Sequence, residues 1–468
     1  MISLKCLTVI SMTFMLVLAA STLKTEAASY LKDSNGRSIY LAGYGPYSHI
    51  FAVGYDYASL HTELKEHHVN LYRLWPLHGF YKDEDIISGK SQLVYTTNKN
   101  GKCDLTSFNQ EYWNDLKGLL ADAESNGIYV EISLFDDCSL EAHHSQRWTQ
   151  HPFNKRNNTN GVFDFGSRAD SDKHFYNLEN NTLLYYQELY VKKLINETWS
   201  YSNVIYEIIN EGDAGEKWIK YWVNLIDREF DRHTTDREPI IAHNAFPFSE
   251  PVYSGFDNPD IDIINWHAYA VGGRWEEGTD PELIQRLFRE HYGVKPQNYD
   301  EGANLPEKIT YQHRMYARRQ IWSSFVNGGY VNIKDGRLEH YVDPANYVDK
   351  ILLDYFKYFG EFRENLSFGD MIPYDELVRS SPSGLIRCDT LANPGEDYLT
   401  YITGNPGANQ ISIEIALEEG LYLFRWFDPE KGEFLPVEAR VTGGRIKSAQ
   451  VPEFSEDVVF YATRISGE

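Results

Sequence analysis

Between about residue 38 and residue 335, apolar runs alternate with helix-like stretches, and this alternation constrains the fold more than any other feature. Strands are expected at Ser38–Gly43, Val69–Trp75, Ile128–Phe135, Val204–Ile209, Pro239–His243, Ile261–His267, Lys295–Glu301 and Tyr330–Ile333. Helices are expected at Tyr57–His67, Tyr112–Asn126, Leu183–Thr198 and Tyr311–Val326. Eight such units over roughly 300 residues have the size of a (β/α)8 barrel. A doubly wound open sheet would prefer a Gly-rich phosphate loop after its first strand, and no G-x-G-x-x-G follows Gly43.

A chain of 468 residues exceeds one ordinary domain. The expected division is a signal peptide over residues 1–28, the barrel over 29–372 and a β-sandwich over 375–468. Lys5 supplies a positive start, Leu7–Ala20 is nearly free of charge, and Ala27-Ala28 offers small residues for cleavage. The apolar run is short for a span of about 20 residues, so a secreted, periplasmic or cell-surface protein without a membrane span is expected. Past Leu377 the texture changes to short runs such as Tyr398–Ile402, Ile411–Ile415 and Leu421–Phe427, with Asn-Pro-Gly and Asp-Pro-Glu-Lys-Gly turns between them.

The formal charge is −24, from 68 acidic and 44 basic residues. Self-repulsion of this size argues against nucleic acid, anionic membrane surfaces and polyanionic glycans as partners. The 34 Tyr and 10 Trp residues supply flat rings able to stack on sugars, although most must serve core packing. Beyond the leader the cysteines are Cys103, Cys138 and Cys388. Cys103 and Cys138 flank one helix–strand unit and either bridge or stay as thiols. Their spacing fits no zinc pattern, so no metal and no cofactor is expected. Asn157, Asn180, Asn196 and Asn365 begin N-x-Ser/Thr triplets.

The chemistry sits at strand ends. Val204–Ile209 stops in Asn210-Glu211, and the seventh run stops in Asp300-Glu301-Gly302. Strand C-termini are where such barrels place reacting groups, and two carboxyls on separate strands can cleave a glycosidic bond. Glu211, walled by the barrel, suits the proton donor. Asn210 can bind the hydroxyl beside the reacting carbon. Glu301 suits a nucleophile held by donors, with Arg73, Tyr269 and His267 as candidates. Asp300 is the rival, and in an extended chain it would face away from Glu301. Taken singly, Asn210-Glu211 reads as a helix cap and Arg73 as an ion-pair partner; it is their order along successive strands that favours a site. Residues 136–181 form an insertion too long for an ordinary connection. There His144, Trp148 and clustered Asn residues line a glycan subsite or simply build a polar loop.

These motifs resemble a clan A retaining glycoside hydrolase of the cellulase-like kind. The resemblance rests on Tyr206–Glu211, Trp266-His267-Ala268-Tyr269, Asn298–Gly302 and Arg73, and covers most of residues 30–340. It implies double displacement with Glu211 as acid/base and Glu301 as nucleophile. Arg319, Trp322 and Gly328-Gly329 resemble the last helix and strand of such barrels. Where many members carry Trp at the eighth strand's end, this chain has Asn332-Ile333-Lys334-Asp335. Leu423–Gly432 is similar to the accessory β-domain named collagen-binding, which follows several of these barrels. The resulting expectation is a secreted retaining glycosidase acting on a neutral β-glycan. The alternatives are an exo-acting enzyme of the β-galactosidase type and a non-catalytic glycan-binding surface protein.

Overall fold

The computed structural model describes residues 29–46, 54–77, 93–140, 145–163, 174–212, 214–234, 236–245, 254–267, 281–339, 341–381, 386–404 and 411–466. The leader-like residues 1–28, His144 and Tyr269 lie outside them. Eight parallel strands close into a barrel. They are β1 (Ala42–Gly45), β2 (Leu71–Leu74), β3 (Tyr129–Asp136), β4 (Val204–Asn210), β5 (Ile240–Ala245), β6 (Ile263–His267), β7 (Gln297–Asn304) and β8 (Tyr330–Lys334). Their order is β1-β8-β7-β6-β5-β4-β3-β2.

The strands read as apolar runs because both faces are covered. All seven residues of β4, Val-Ile-Tyr-Glu-Ile-Ile-Asn, are buried. The helix Glu216–Asp231 covers its neighbours with Trp218, Ile219, Trp222, Val223, Ile226 and Phe230, spaced three and four apart. Trp218 and Trp222 pack on Phe135 with ring centroids 5.4 and 5.0 Å away, bracing the end of β3. Helix starts are fixed by side-chain caps: Asp56, Asn109, Asn180 and Asp349 accept from the amides of Ser59, Glu111, Leu183 and Leu352.

Sequence patterning did not foretell a hairpin, Tyr95–Thr97 with Cys103–Phe108, between β2 and β3. The insertion after β3 docks on it: Cys103 N donates to Asn157 O (2.8 Å) and Leu105 N to Asn160 Oδ1 (2.9 Å). The clustered Asn residues hold this loop together. Asn158 Nδ2 alone donates to the carbonyls of Pro152, Asn154 and Val162 at 3.0–3.1 Å. Cys103 and Cys138 are both free thiols, so the bridge does not form.

The C-terminal region forms two antiparallel sheets. The larger runs Ile372–Pro373, Ile386–Asn393, Asp397–Gly404, Asp457–Ile465, Leu421–Asp428, Glu433–Thr442, and the smaller Val378–Ser381, Ser412–Ala416, Ile446–Gln450. Ile413, Tyr422 and Phe460 fill the space between them. The other face of the larger sheet contributes Leu399, Tyr401, Phe427 and Tyr461 to the barrel's own core. At that seam, buried Arg318 from helix Tyr311–Val326 donates to both Asp457 oxygens (2.7–3.2 Å), and Tyr401 adds a third donor at 2.7 Å. A buried pair with these extra donors satisfies most of what its burial costs. Among the described residues no helix is long and apolar enough to cross a membrane.

Candidate active site

Seven strands send polar side chains into the barrel. Arg73 (β2), Glu131 (β3), Glu207 (β4), Asn244 (β5), Asn265 (β6), Asn298 (β7) and Asn332 (β8) are all buried. β1 answers with Gly43, where a Cβ would lie 2.3 Å from Asn332 Oδ1, so only glycine lets Asn332 cross the barrel floor.

Arg73 organises this layer. Its Nε meets Glu131 Oε1 at 3.0 Å and one terminal nitrogen donates to Glu207 and to Asn210 Oδ1 (3.1 Å). The other terminal nitrogen meets Glu301 Oε1 and Asp300 Oδ2, each at 2.9 Å. One guanidinium therefore serves four carboxyls on three strands: Glu131 on β3, Glu207 on β4, and Asp300 and Glu301 on β7. Burial opposes its charge, but Asp300, Glu207, Glu131 and Glu301 together hold its pKa well above the ordinary value. Glu131 goes the other way: burial and the charge of Glu207 push its carboxyl well up, against the pull of Arg73. Asn265 Nδ2 bridges Glu131 and Glu207 at 2.8 and 2.9 Å.

The two glutamates expected at strand ends both reach the site. Glu211 and Glu301 each have a positive φ, 54° and 51°. That conformation costs on the order of 1–3 kcal/mol at a non-glycine residue and concentrates at functional positions. It also overturns one expectation. Asp300 and Glu301 do not face opposite sides, because the left-handed turn at Glu301 breaks the pleat. Both carboxyls aim inward, Asp300 to Arg73 and His267, Glu301 to Arg73 and Lys334.

His267, at the end of β6, joins them. Its Nε2 lies 2.8 Å from Asp300 Oδ2 and its Nδ1 3.2 Å from Glu211 Oε1. Burial disfavours the imidazolium, but the charges of Glu301 and Asp300 and both hydrogen bonds outweigh it and raise His267 to about 10. The ring is thus a cation at neutral pH, donating from both nitrogens. Glu211, His267 and Glu301 bring one polar atom each to within 4.8 Å of one another. Arg73 and His267 already supply the positive charge there, and no metal ligand is assigned.

Asn210 is fully buried, accepting from Arg73 and donating to Asp136 Oδ1 at 2.9 Å. Trp148 packs inside the insertion against His151 and Phe163, 8% exposed. Sequence reasoning missed Glu131, Glu207 and Asn265, although a lone polar residue within each apolar run was a signal for an inward position. It also missed Cys138, in the one-turn helix Asp137–Ser139, whose thiol donates to Glu211 Oε2. Burial drives that thiol well up, so it remains a donor. A separate cavity of about 490 Å³, lined by Tyr129, Val204 and Ile240, opens where β3, β4 and β5 begin. That end of a barrel serves stability.

The sequence matches no family model and no curated protein. Among solved structures, the chain is similar to a glycoside hydrolase family 5 protein from Bacteroides vulgatus ATCC 8482. The match has a TM-score of 0.61 and 13% identity, over 94% of this chain and 92% of the other. It is also similar to a protein described as a glycoside hydrolase, with a TM-score of 0.60 and 13% identity over 95% of this chain and 97% of that one. At this identity the likeness shows a shared fold, and its coverage extends past the barrel into the C-terminal sheets.

Proposed function

We propose that the chain is a retaining glycoside hydrolase that cleaves β-glycosidic bonds of a neutral glycan by double displacement. The observation that carries this reading is the pairing of Glu211 with Glu301, which have carboxyl oxygens within 4.8 Å on separate strand ends. Retaining enzymes hold their two carboxyls about 5–5.5 Å apart, whereas inverting ones need roughly 6.5–9.5 Å to admit a water. Glu301, faced by three cations, is the nucleophile. Glu211 gives its proton to the leaving oxygen as Glu301 attacks the anomeric carbon. It then takes a proton from the water that cleaves the glycosyl-enzyme. Asn210, held from both ends, offers its remaining amide hydrogen to the neighbouring sugar hydroxyl. The protein's net charge of −24 favours a neutral substrate. The glycoside hydrolase neighbours support the class of reaction without specifying the sugar.

A non-catalytic binding protein is the weaker reading, since it would gain nothing from two strained, paired glutamates. The roles separate by leaving group. Glu211→Ala should retain turnover on an activated aryl glycoside, lose it on a natural glycan, and form a β-glycosyl azide when azide is added. Equal loss on both substrates, with no azide product, would remove Glu211 from the acid/base role.

A further inference from the structure

β8 pairs regularly with β1, Gly43 opposite Asn332 and Gly45 opposite Lys334, so Lys334 follows Asn332 into the barrel one layer nearer the strand ends, although the register with β7 shifts between them. Asn332 Nδ2 reaches Asp300 Oδ1 at 3.3 Å. The ammonium of Lys334 lies 3.6 Å from Glu301 Oε2 and 4.6 Å from the centre of the Trp75 ring. Arg73 touches the other oxygen, Oε1, at 2.9 Å, and its guanidinium lies 5.4 Å from the centre of the same Trp75 ring. The two oxygens of Glu301 thus have different cations. Arg73 is wholly buried, whereas the Lys334 side chain keeps 15% exposure.

We propose that Lys334 is a positioning residue for the nucleophile, pinning Oε2 of Glu301 from the cleft side while Arg73 pins Oε1 from below. Trp75 holds the ammonium in place by presenting its ring face, an attraction that strengthens when water is excluded. The proposal rests on Glu301 being the nucleophile. The other groups facing Glu301 are Arg73 from β2, Glu211 from β4, His267 from β6 and its own neighbour Asp300. Burial raises the Glu301 carboxyl; the charges of Lys334, His267 and Arg73 lower it, and Glu211 raises it again. Taking Lys334 away removes one lowering charge, so Glu301 should hold its proton to higher pH.

The test follows Glu301 directly, by carbon NMR of protein labelled at the glutamate carboxyl carbon, with Glu301→Gln to assign the signal. In Lys334→Gln the Glu301 midpoint should rise by about 1 pH unit or more. The acid limb of kcat/KM on an aryl glycoside should move up by the same amount, a loss of about tenfold below the limb. Lys334→Arg should restore both, and Trp75→Leu should give a smaller rise. An unmoved Glu301 signal in Lys334→Gln would overturn the proposal whether or not the protein is active. A uniform fall in kcat/KM at every pH would overturn it too, marking Lys334 as a substrate contact. A wild-type protein without glycosidase activity would instead contradict the hydrolase reading and leave the NMR result to judge Lys334.

Discussion

Glu301→Ala is expected to lower kcat/KM on the order of 10⁴-fold on both natural glycans and activated aryl glycosides. Without its carboxylate no glycosyl-enzyme forms, and an activated leaving group cannot replace a missing nucleophile. This separates it from Glu211→Ala, whose deficit shrinks as the leaving group improves. Azide makes the contrast sharper. In Glu301→Ala it should enter the space that the carboxylate leaves, attack from that face and release an α-glycosyl azide. Glu211→Ala should instead yield the β-azide from the intact intermediate. Steady-state kinetics on the two substrate types, with the azide products assigned by proton NMR, read both effects. Identical azide anomers from the two variants would contradict the assignment.

The second large effect concerns stability. Arg73→Met should destabilise the protein by about 3–5 kcal/mol near neutral pH, as removal of one partner from a buried ion cluster does. Four carboxyls, Glu131, Glu207, Asp300 and Glu301, would lose their common guanidinium. The pH dependence has a definite sign. Without the guanidinium these buried carboxyls rise above their unfolded values, as Glu131 already does beside Arg73. A raised carboxyl stabilises the fold most below its unfolded value, near pH 4, and loses that contribution as pH climbs through the folded value. The gap between wild type and Arg73→Met should therefore be narrow near pH 4 and wide at pH 7. Urea melts at both values measure it, and a gap under about 1 kcal/mol at pH 7 would mean that the cluster does not depend on Arg73. Arg73→Lys should fall between, because one ammonium cannot reach acceptors on three sides.

The barrel was legible because each strand announces itself as an apolar run between turn signals, and the C-terminal sheets because their runs are short and regularly punctuated. The helix Tyr311–Val326 matches its sequence-based bounds. Arg73, Asn210, Glu211, His267 and Glu301 were also legible, since each is a reactive side chain at or near a strand end. What remained hidden depends on geometry that one strand does not carry. Glu131 and Glu207 gain meaning from register between neighbouring strands, where Arg73 pairs with Glu131 and Ser133 with Glu207. Asp300 was assigned the wrong side because alternation assumes an extended backbone, and Glu301 is left-handed. Lys334 looks like an ordinary solvated strand end until β8 is placed beside β7. The Asn-rich insertion offered sugar contacts as one reading, yet Asn154, Asn157 and Asn158 spend their amides on the loop's own carbonyls, and Asn160 spends its on the neighbouring hairpin.

The central claim is that Glu301 becomes covalently bound to sugar during turnover. A 2-deoxy-2-fluoro glycoside with an activated leaving group, of whichever neutral sugar the enzyme turns over, slows both steps yet still allows the adduct to form and accumulate. Mass spectrometry of the intact protein and its peptides should then find one sugar per chain, attached at Glu301, and none in Glu301→Gln. An adduct on Asp300, or turnover without an adduct and with inverted anomeric configuration in the product, would contradict the account.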